Sequence, residues 1–199
     1  WGLGGPTTIV RSLIDDNVSE SDAGIIFGTL TGVITIRASI ITGNIATFAA
    51  GGGAGGSGSI TMVTSIVSDN VAGVRGGGLA LTTGQLTLEE TTLTGNVAAH
   101  FGGGLHIAAG TVTVHQSQIT QNTAGVLGGA GGGIYNVGGT VVLETSTLVD
   151  NGAPTAPDCF GPVVAQGATV IGDPSGCTVI PAPPPDPPVR GHRDRRRDR

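Results

Sequence analysis

The chain has 199 residues, of which 37 are glycine, far above the roughly 7 % of an average protein. Six residues are aromatic, so a core has to be built from Ile, Val, Leu and Ala, a set that fits stacked strands and disfavours helical bundles. Residues 1–189 carry three arginines and twelve carboxylates and the chain has no lysine, which excludes a basic stripe for a nucleic-acid backbone.

The start of the chain favours a processed or truncated form, because Trp1 replaces an initiating Met and no basic segment precedes an apolar one. Polar residues or glycine interrupt every apolar run within a few positions, so none approaches the roughly 20 residues of a membrane span. We therefore expect no membrane span.

An asparagine then recurs at intervals of 27, 26, 26, 26 and 29 residues. A fixed period of this length predicts a solenoid, in which each asparagine stacks on its equivalents and forms an amide ladder. The last interval is longer because the glycine run Gly128–Gly133 contains an insertion. The predicted Asn ladder comprises Asn17, Asn44, Asn70, Asn96, Asn122 and Asn151.

Strands are predicted by alternation of apolar and polar residues around a threonine in each repeat. Three aliphatic rows are expected inside: one three residues before each asparagine, and two that flank the threonine. The threonines form an outward Thr row, Thr8, Thr35, Thr61, Thr87 and Thr113, with valine at position 142 of the next repeat.

These patterns predict an all-β fold, a single-stranded right-handed parallel β-helix (solenoid) of about six coils, with about 26 residues and two or three strands per coil. We assign it to residues 1–180. Equivalent residues repeat in the same direction, so neighbouring coils should run parallel about 4.8 Å apart.

Cys159 and Cys177 are the two cysteines and flank the segment that follows the last coil. A disulfide between them would close a terminal loop, contribute roughly 3 kcal/mol, and require an oxidising compartment. Two free thiols or a metal pair are the alternatives, although no nearby histidine or third cysteine completes a zinc site.

His100, His106 and His115 raise the question of a metal site. His115 falls in an outward column, so we interpret the three as exposed wall residues, with at most a weak cross-coil pair between Glu89 and His115. We expect no metal and no cofactor.

Catalysis and ice binding are the other functions considered. Asp15 and Asp16 are adjacent, so their side chains diverge and do not form a glycosidase pair, and no long insertion builds a cleft. An ice-binding role for the Thr row is disfavoured by the mixed column beside it. We predict no enzyme and no catalytic residues.

The C-terminal segment 181–199 combines a proline-rich linker with a basic tail. The tail is either a solvated, disordered segment or a contact with the acidic body of another subunit. The arginines of this possible subunit contact are Arg190, Arg193, Arg195, Arg196, Arg197 and Arg199.

The recurrent Ser-x-Ile/Leu-x-x-Asn motif, the Gly-Gly-Gly-Leu/Ile corners and the segment from Pro157 to Cys177 resemble the polymorphic outer-membrane and CSLREA-type β-helix proteins. The resemblance covers residues 7–180. It implies a bacterial extracellular surface protein. The N-terminal signature of that group is missing here, and the tail differs.

We therefore predict a non-enzymatic structural protein, secreted or at the cell surface, that self-associates into a filament or surface layer. Unpaired strand edges at the end coils favour end-to-end contact, and the basic tail offers a second contact. The alternative is a monomeric adhesin that binds carbohydrate, such as cell-surface glycans; a polysaccharide lyase or glycosidase ranks third.

Overall fold

A computed structural model describes residues 6–20, 25–27, 33–48, 50–125 and 128–181. These residues form β-strands and no helix, so none of the described segments is a helix suited to crossing a bilayer. The tail arginines, and with them the possible subunit contact of residues 190–199, lie outside the described residues.

The strands are short and follow one another closely along the chain. The first twelve are β1 (Thr7–Val10), β2 (Leu13–Asp15), β3 (Val18–Ser19), β4 (Ile25–Phe27), β5 (Val33–Arg37), β6 (Ile40–Thr42), β7 (Ile45–Ala46), β8 (Ala54–Val63), β9 (Ile66–Ser68), β10 (Val71–Ala72), β11 (Leu79–Glu89) and β12 (Thr92–Thr94). The others are β13 (Val97–Ala98), β14 (Leu105–Ile107), β15 (Gly110–His115), β16 (Gln118–Thr120), β17 (Thr123–Ala124), β18 (Ile134–Asn136), β19 (Gly139–Glu144), β20 (Thr147–Val149), β21 (Cys159–Gln166), β22 (Val170–Ile171) and β23 (Cys177–Pro181).

The strands stack into three parallel sheets that form the walls of a solenoid. Sheet A has eleven strands, sheet B seven and sheet C five. Sheet B runs β2-β6-β9-β12-β16-β20-β22 and sheet C runs β17-β13-β10-β7-β3, so coils 1 to 5 contribute a strand to each wall. Coil 6 meets sheet C through a single bridge between Thr123 and Gly152. The predicted parallel β-solenoid of about six coils is confirmed. We number the coils 1 to 6 by their asparagines, from Asn17 to Asn151.

The core is a set of aliphatic columns that run along the solenoid axis. All three predicted inward rows are buried or half-buried. The structure adds a fourth inward row at the start of sheet A strands, which the sequence analysis did not predict because its members directly follow the glycine corners and include Ala54 and Cys159. This row is Ile25, Ala54, Leu79, Leu105, Ile134 and Cys159.

The Asn ladder joins successive coils at the turn between sheets B and C. The Oδ1 atom of Asn96 accepts hydrogen bonds from the backbone N–H and the Nδ2 of Asn70, at 3.1 and 2.9 Å. The Nδ2 of Asn96 in turn donates to the Oδ1 of Asn122, at 2.8 Å, and to the carbonyl of Val67 in the preceding coil, at 2.9 Å. Each buried carboxamide therefore connects three coils.

Asp158 closes this ladder at its C-terminal end. Its Oδ1 accepts from the backbone N–H and the Nδ2 of Asn151, at 3.0 and 2.8 Å, as a seventh asparagine would. The side chain is only 2 % exposed. The chain position of Asp158 corresponds to a corner glycine such as Gly78, where a Cβ atom would lie 3.0 Å from the Cγ of Asn96. No further asparagine follows Asn151 in the ladder, so a side chain fits at this place and the carboxylate of Asp158 occupies it.

Substitution of Asn96 by Ala tests the ladder. The change leaves the backbone N–H of buried Asn70 without its acceptor and removes one of the three acceptors of its Nδ2, and an unsatisfied buried group costs about 1–3 kcal/mol. We expect the free energy of unfolding to fall by about 2–5 kcal/mol, measured by urea denaturation. The control Asn17→Ala removes the exposed end of the same ladder, where water replaces the lost partner, and should cost much less. Equal losses in the two variants would contradict the role of burial.

Candidate functional site

The structure joins Cys159 and Cys177 in a disulfide, with their Cα atoms 5.4 Å apart. The predicted bond is thus confirmed, and free thiols or a metal pair are excluded. Cys159 is buried at the end of the fourth aliphatic row, so the bond ties strand β23 to the core. Disulfides of this kind form and persist in oxidising compartments.

The Thr row lies on the outer face of sheet A in continuous register. Thr8 is exposed, whereas the other four threonines are half-buried between neighbouring coils. The two carboxylates considered for catalysis, Asp15 and Asp16, are both exposed at the turn of coil 1. Neither feature forms a cleft.

The histidines do not share one environment, and the expectation of three exposed wall residues is wrong for His106. This side chain is only 4 % exposed, because its ring is covered by Tyr135 of the next coil. His100 and His115 are half-buried. Within the described residues, no group of three or more His, Cys, Asp or Glu side chains is arranged to hold a metal ion.

His106 belongs to an aromatic cluster on the outer face of sheet A. The cluster consists of His100, Phe101, His106, Tyr135 and Phe160. The ring centroids of His106 and Tyr135 are 5.7 Å apart, and those of Tyr135 and Phe160 are 4.6 Å apart, both pairs with an interplanar angle of 12°. Three rings therefore stack along the solenoid axis.

Strand register explains this stack. His106 pairs with Tyr135, and Tyr135 with Phe160, in successive strands of sheet A. Phe101 enters from the neighbouring corner column, and its centroid lies 4.6 Å from that of Tyr135. Half of the chain's six aromatic residues thus meet at one place. The sequence signal was the recurrence of His, Tyr and Phe directly after the first inward residue of each strand.

The local environment of His106 disfavours its charged form. Burial, and secondarily the positive charge of Arg75, lower the pKa of His106 from 6.5 to about 4. The imidazole is therefore neutral at physiological pH, which suits a ring stacked beneath an aromatic neighbour.

A second feature, the apolar wall, occupies the outer face of coils 1 to 3. On sheet B it is the row Leu13, Ile40 and Ile66, and on sheet C the row Val18, Ile45 and Val71. These side chains are between 37 % and 70 % exposed. In coils 4 to 6 the same columns read Thr92, Gln118, Thr147 and Val97, Thr123, Gly152. Beyond coil 6 the sheet B column ends in a single exposed apolar residue, Val170. Sequence reasoning missed this change because the outward columns that it followed were the Thr row and the column of His115, both on sheet A.

Opposite charges border the sheet B row of the apolar wall. Exposed Arg11 and Arg37 precede it in the chain by two or three residues, and we call them the arginine rib. The acid rib, composed of exposed Asp15, Asp16 and Asp69, follows it at a similar distance. The row therefore lies between a positive and a negative margin.

Comparison with known proteins identifies no relative of this chain. No protein-family model matches it, nor does any curated protein or solved structure.

Acidification tests the environment of His106. Because its pKa in the folded state lies below that in the unfolded state, unfolded chains take up the proton first as the pH falls from 6.5 to 4. The fold should lose about 3 kcal/mol of stability over this window and lose no more from this group at lower pH. Above pH 6.5 the group should have no effect.

The variant His106→Phe keeps a stacked ring without a titrating group, so its stability should fall less over the same window. The control His115→Gln leaves His106 in place and should retain the wild-type slope. Unfolding midpoints in urea, measured at intervals of pH, provide the comparison. A wild-type slope in His106→Phe would contradict the assignment.

Proposed function

We propose that this protein is a secreted, non-enzymatic structural module that self-associates through the apolar wall of coils 1 to 3. The observation that carries the proposal is a change along the outward column of sheet B. Equivalent strands of successive coils have Leu or Ile at this position in coils 1 to 3 and Thr or Gln in coils 4 to 6. Both halves of the solenoid have the same backbone.

Strand propensity does not account for this difference, since Ile and Thr both favour strands. Solubility would favour Thr or Gln throughout. Exposed apolar rows that are confined to one part of a wall and bordered by charge are typical of an interaction surface. The apolar wall therefore favours a protein partner over open solvent.

Charge placement favours a second copy of the chain as that partner. A two-fold axis parallel to the solenoid axis would bring the Leu13–Ile40–Ile66 rows of two copies together. It would also place the arginine rib of each copy opposite the acid rib of the other. Closed two-fold contacts are the commonest arrangement of homo-oligomers. The surface thus complements itself in both apolarity and charge.

Contact through the wall is favoured over end-to-end stacking by the state of the C-terminal coil. Asp158 already accepts the N–H groups of Asn151 that a following asparagine would take up. A filament or layer would then require a second contact between copies. We propose that the basic residues 190–199 of one copy make this contact with the acidic body of another.

The location outside the cell is part of this proposal. The disulfide supports it, because such bonds persist in oxidising compartments. The likeness of the serine–asparagine repeat and of the Cys159–Cys177 segment to the polymorphic outer-membrane and CSLREA-type proteins supports a bacterial surface origin.

The double variant Ile40→Thr/Ile66→Thr tests the contact by giving coils 2 and 3 the threonine of coils 4 and 6. The wild-type protein should be a dimer in sedimentation velocity. The variant should dimerise at least about 100-fold more weakly, because four buried aliphatic side chains are lost per dimer. Raising the ionic strength should weaken the wild-type dimer, through screening of the two ribs.

The matched control is Val179→Thr/Ile180→Thr, which changes two residues that are each 44 % exposed at the other end of the solenoid. It should leave the dimer intact. A monomeric wild-type protein at high micromolar concentration, or equal weakening by the control, would rule out the apolar wall as the contact.

A further inference from the structure

Asn17 differs from every other asparagine of the chain in its exposure. All seven asparagines lie within the described residues, and six of them are at most 7 % exposed: Asn44, Asn70, Asn96, Asn122, Asn136 and Asn151. Asn17 begins the ladder in coil 1, and its side chain is exposed. An enzyme that acts on the carboxamide of an asparagine in the folded protein can therefore reach this one.

Asn17 is also the one asparagine that is followed two residues later by a hydroxyl side chain. Asn17-Val18-Ser19 is an Asn-x-Ser sequence without a central proline, which is the acceptor motif for N-linked sugars. After the other six asparagines, alanine or glycine stands at this place: Ala46, Ala72, Ala98, Ala124, Gly138 and Ala153. The complete motif and the exposed carboxamide thus coincide in coil 1.

Packing explains why the inner coils use alanine in this column. The alanines of coils 2 to 5 are at most 1 % exposed on the inward side of sheet C, where a hydroxyl would need a buried partner. Ser19 is half-buried, so its environment permits serine without requiring it. Strand β3, which contains Ser19, is the terminal strand of sheet C and pairs only with β7. The motif therefore lies at an edge of the described fold.

We propose that Asn17 is an N-glycosylation site, modified by a transferase that uses an oligosaccharide carried on a lipid diphosphate. The Nδ2 atom of Asn17 attacks the anomeric carbon of the sugar. A C–N bond forms as the C–O bond to the diphosphate breaks, the lipid diphosphate leaves, and one amide proton passes to a base of the transferase. The inference rests on the proposed location outside the cell, because this motif is used in secreted proteins.

The ladder tolerates this reaction at Asn17. Its Nδ2 donates to the Oδ1 of Asn44 at 2.8 Å and to the carbonyl of Asp15 at 3.1 Å, and a sugar on Nδ2 displaces at least one of these bonds. The Oδ1 of Asn44 also accepts from the backbone N–H of Asn17, at 3.1 Å, and Asp15 is exposed to water. Neither acceptor is therefore left unsatisfied. At Asn96, which is fully buried, a sugar would have no room.

Transfer to the purified, folded protein tests the proposal without depending on where the protein is located in the cell. The protein is incubated with an oligosaccharyltransferase and a lipid-diphosphate oligosaccharide, and mass spectrometry of the intact chain and of its peptides locates the sugar. We expect a single oligosaccharide, at Asn17. Ser19→Ala gives coil 1 the alanine of the other coils and should abolish transfer, whereas Ser19→Thr should retain it.

Ala46→Ser and Ala72→Ser are the matched controls, because each completes the same motif at a buried asparagine, Asn44 or Asn70. Circular dichroism identifies which of the two variants are folded. A folded variant should gain no second oligosaccharide, although an unfolded peptide with the same new motif should be an acceptor. The comparison separates the effect of exposure from that of the motif.

Three results would overturn the proposal: a wild-type protein that gains no sugar, transfer that survives in Ser19→Ala, or transfer to a buried asparagine of a folded control variant as fast as to Asn17. The same reaction on Ile40→Thr/Ile66→Thr separates this site from the apolar wall. We expect transfer to Asn17 in that variant whether or not the apolar wall forms a dimer.

Discussion

The stacking of buried asparagines is the constraint on which this solenoid depends. An internal residue such as Asn96 connects its own coil to the one before and the one after through its carboxamide. A buried amide left without partners is costly, so neighbouring coils have to keep one register. That register aligns the aliphatic rows, the Thr row and the aromatic cluster. Each outward column therefore shows how the side chain at one position of a wall changes from coil to coil.

The same constraint makes the two ends of the solenoid different. Each Oδ1 accepts from the preceding coil, so the ladder has a direction. At the C-terminal end, Asp158 supplies the last acceptor and the disulfide ties β23 to the core. At the N-terminal end, Asn17 is exposed. The ladder is therefore capped at its C-terminal end and offers no free amide there to a further coil, whereas the apolar wall and the aromatic cluster lie on the walls.

The two candidate surfaces differ in chemistry and in place. The apolar wall is a pair of aliphatic rows beside ribs of opposite charge in coils 1 to 3, suited to a copy of itself. The aromatic cluster is a stack of rings on the outer face of sheet A that ends at Phe160. Neither surface needs catalytic groups, and the proposed role is structural.

The sequence by itself determined the repeat, the parallel stacking, the three aliphatic rows and the Asn ladder, because each follows from spacing within one coil. It also identified Cys159 and Cys177 as candidates for a disulfide. Tertiary structure decided what depends on contacts between coils: the burial of His106 beneath Tyr135, the meeting of Phe101 with that ring, and the capping of Asn151 by Asp158. Asp158 departs from the repeat, since it stands at a glycine position beyond the last asparagine of the ladder. Its role therefore depends on the place next to Asn151 where no further asparagine stacks, and the repeat columns of the sequence do not show what fills that place.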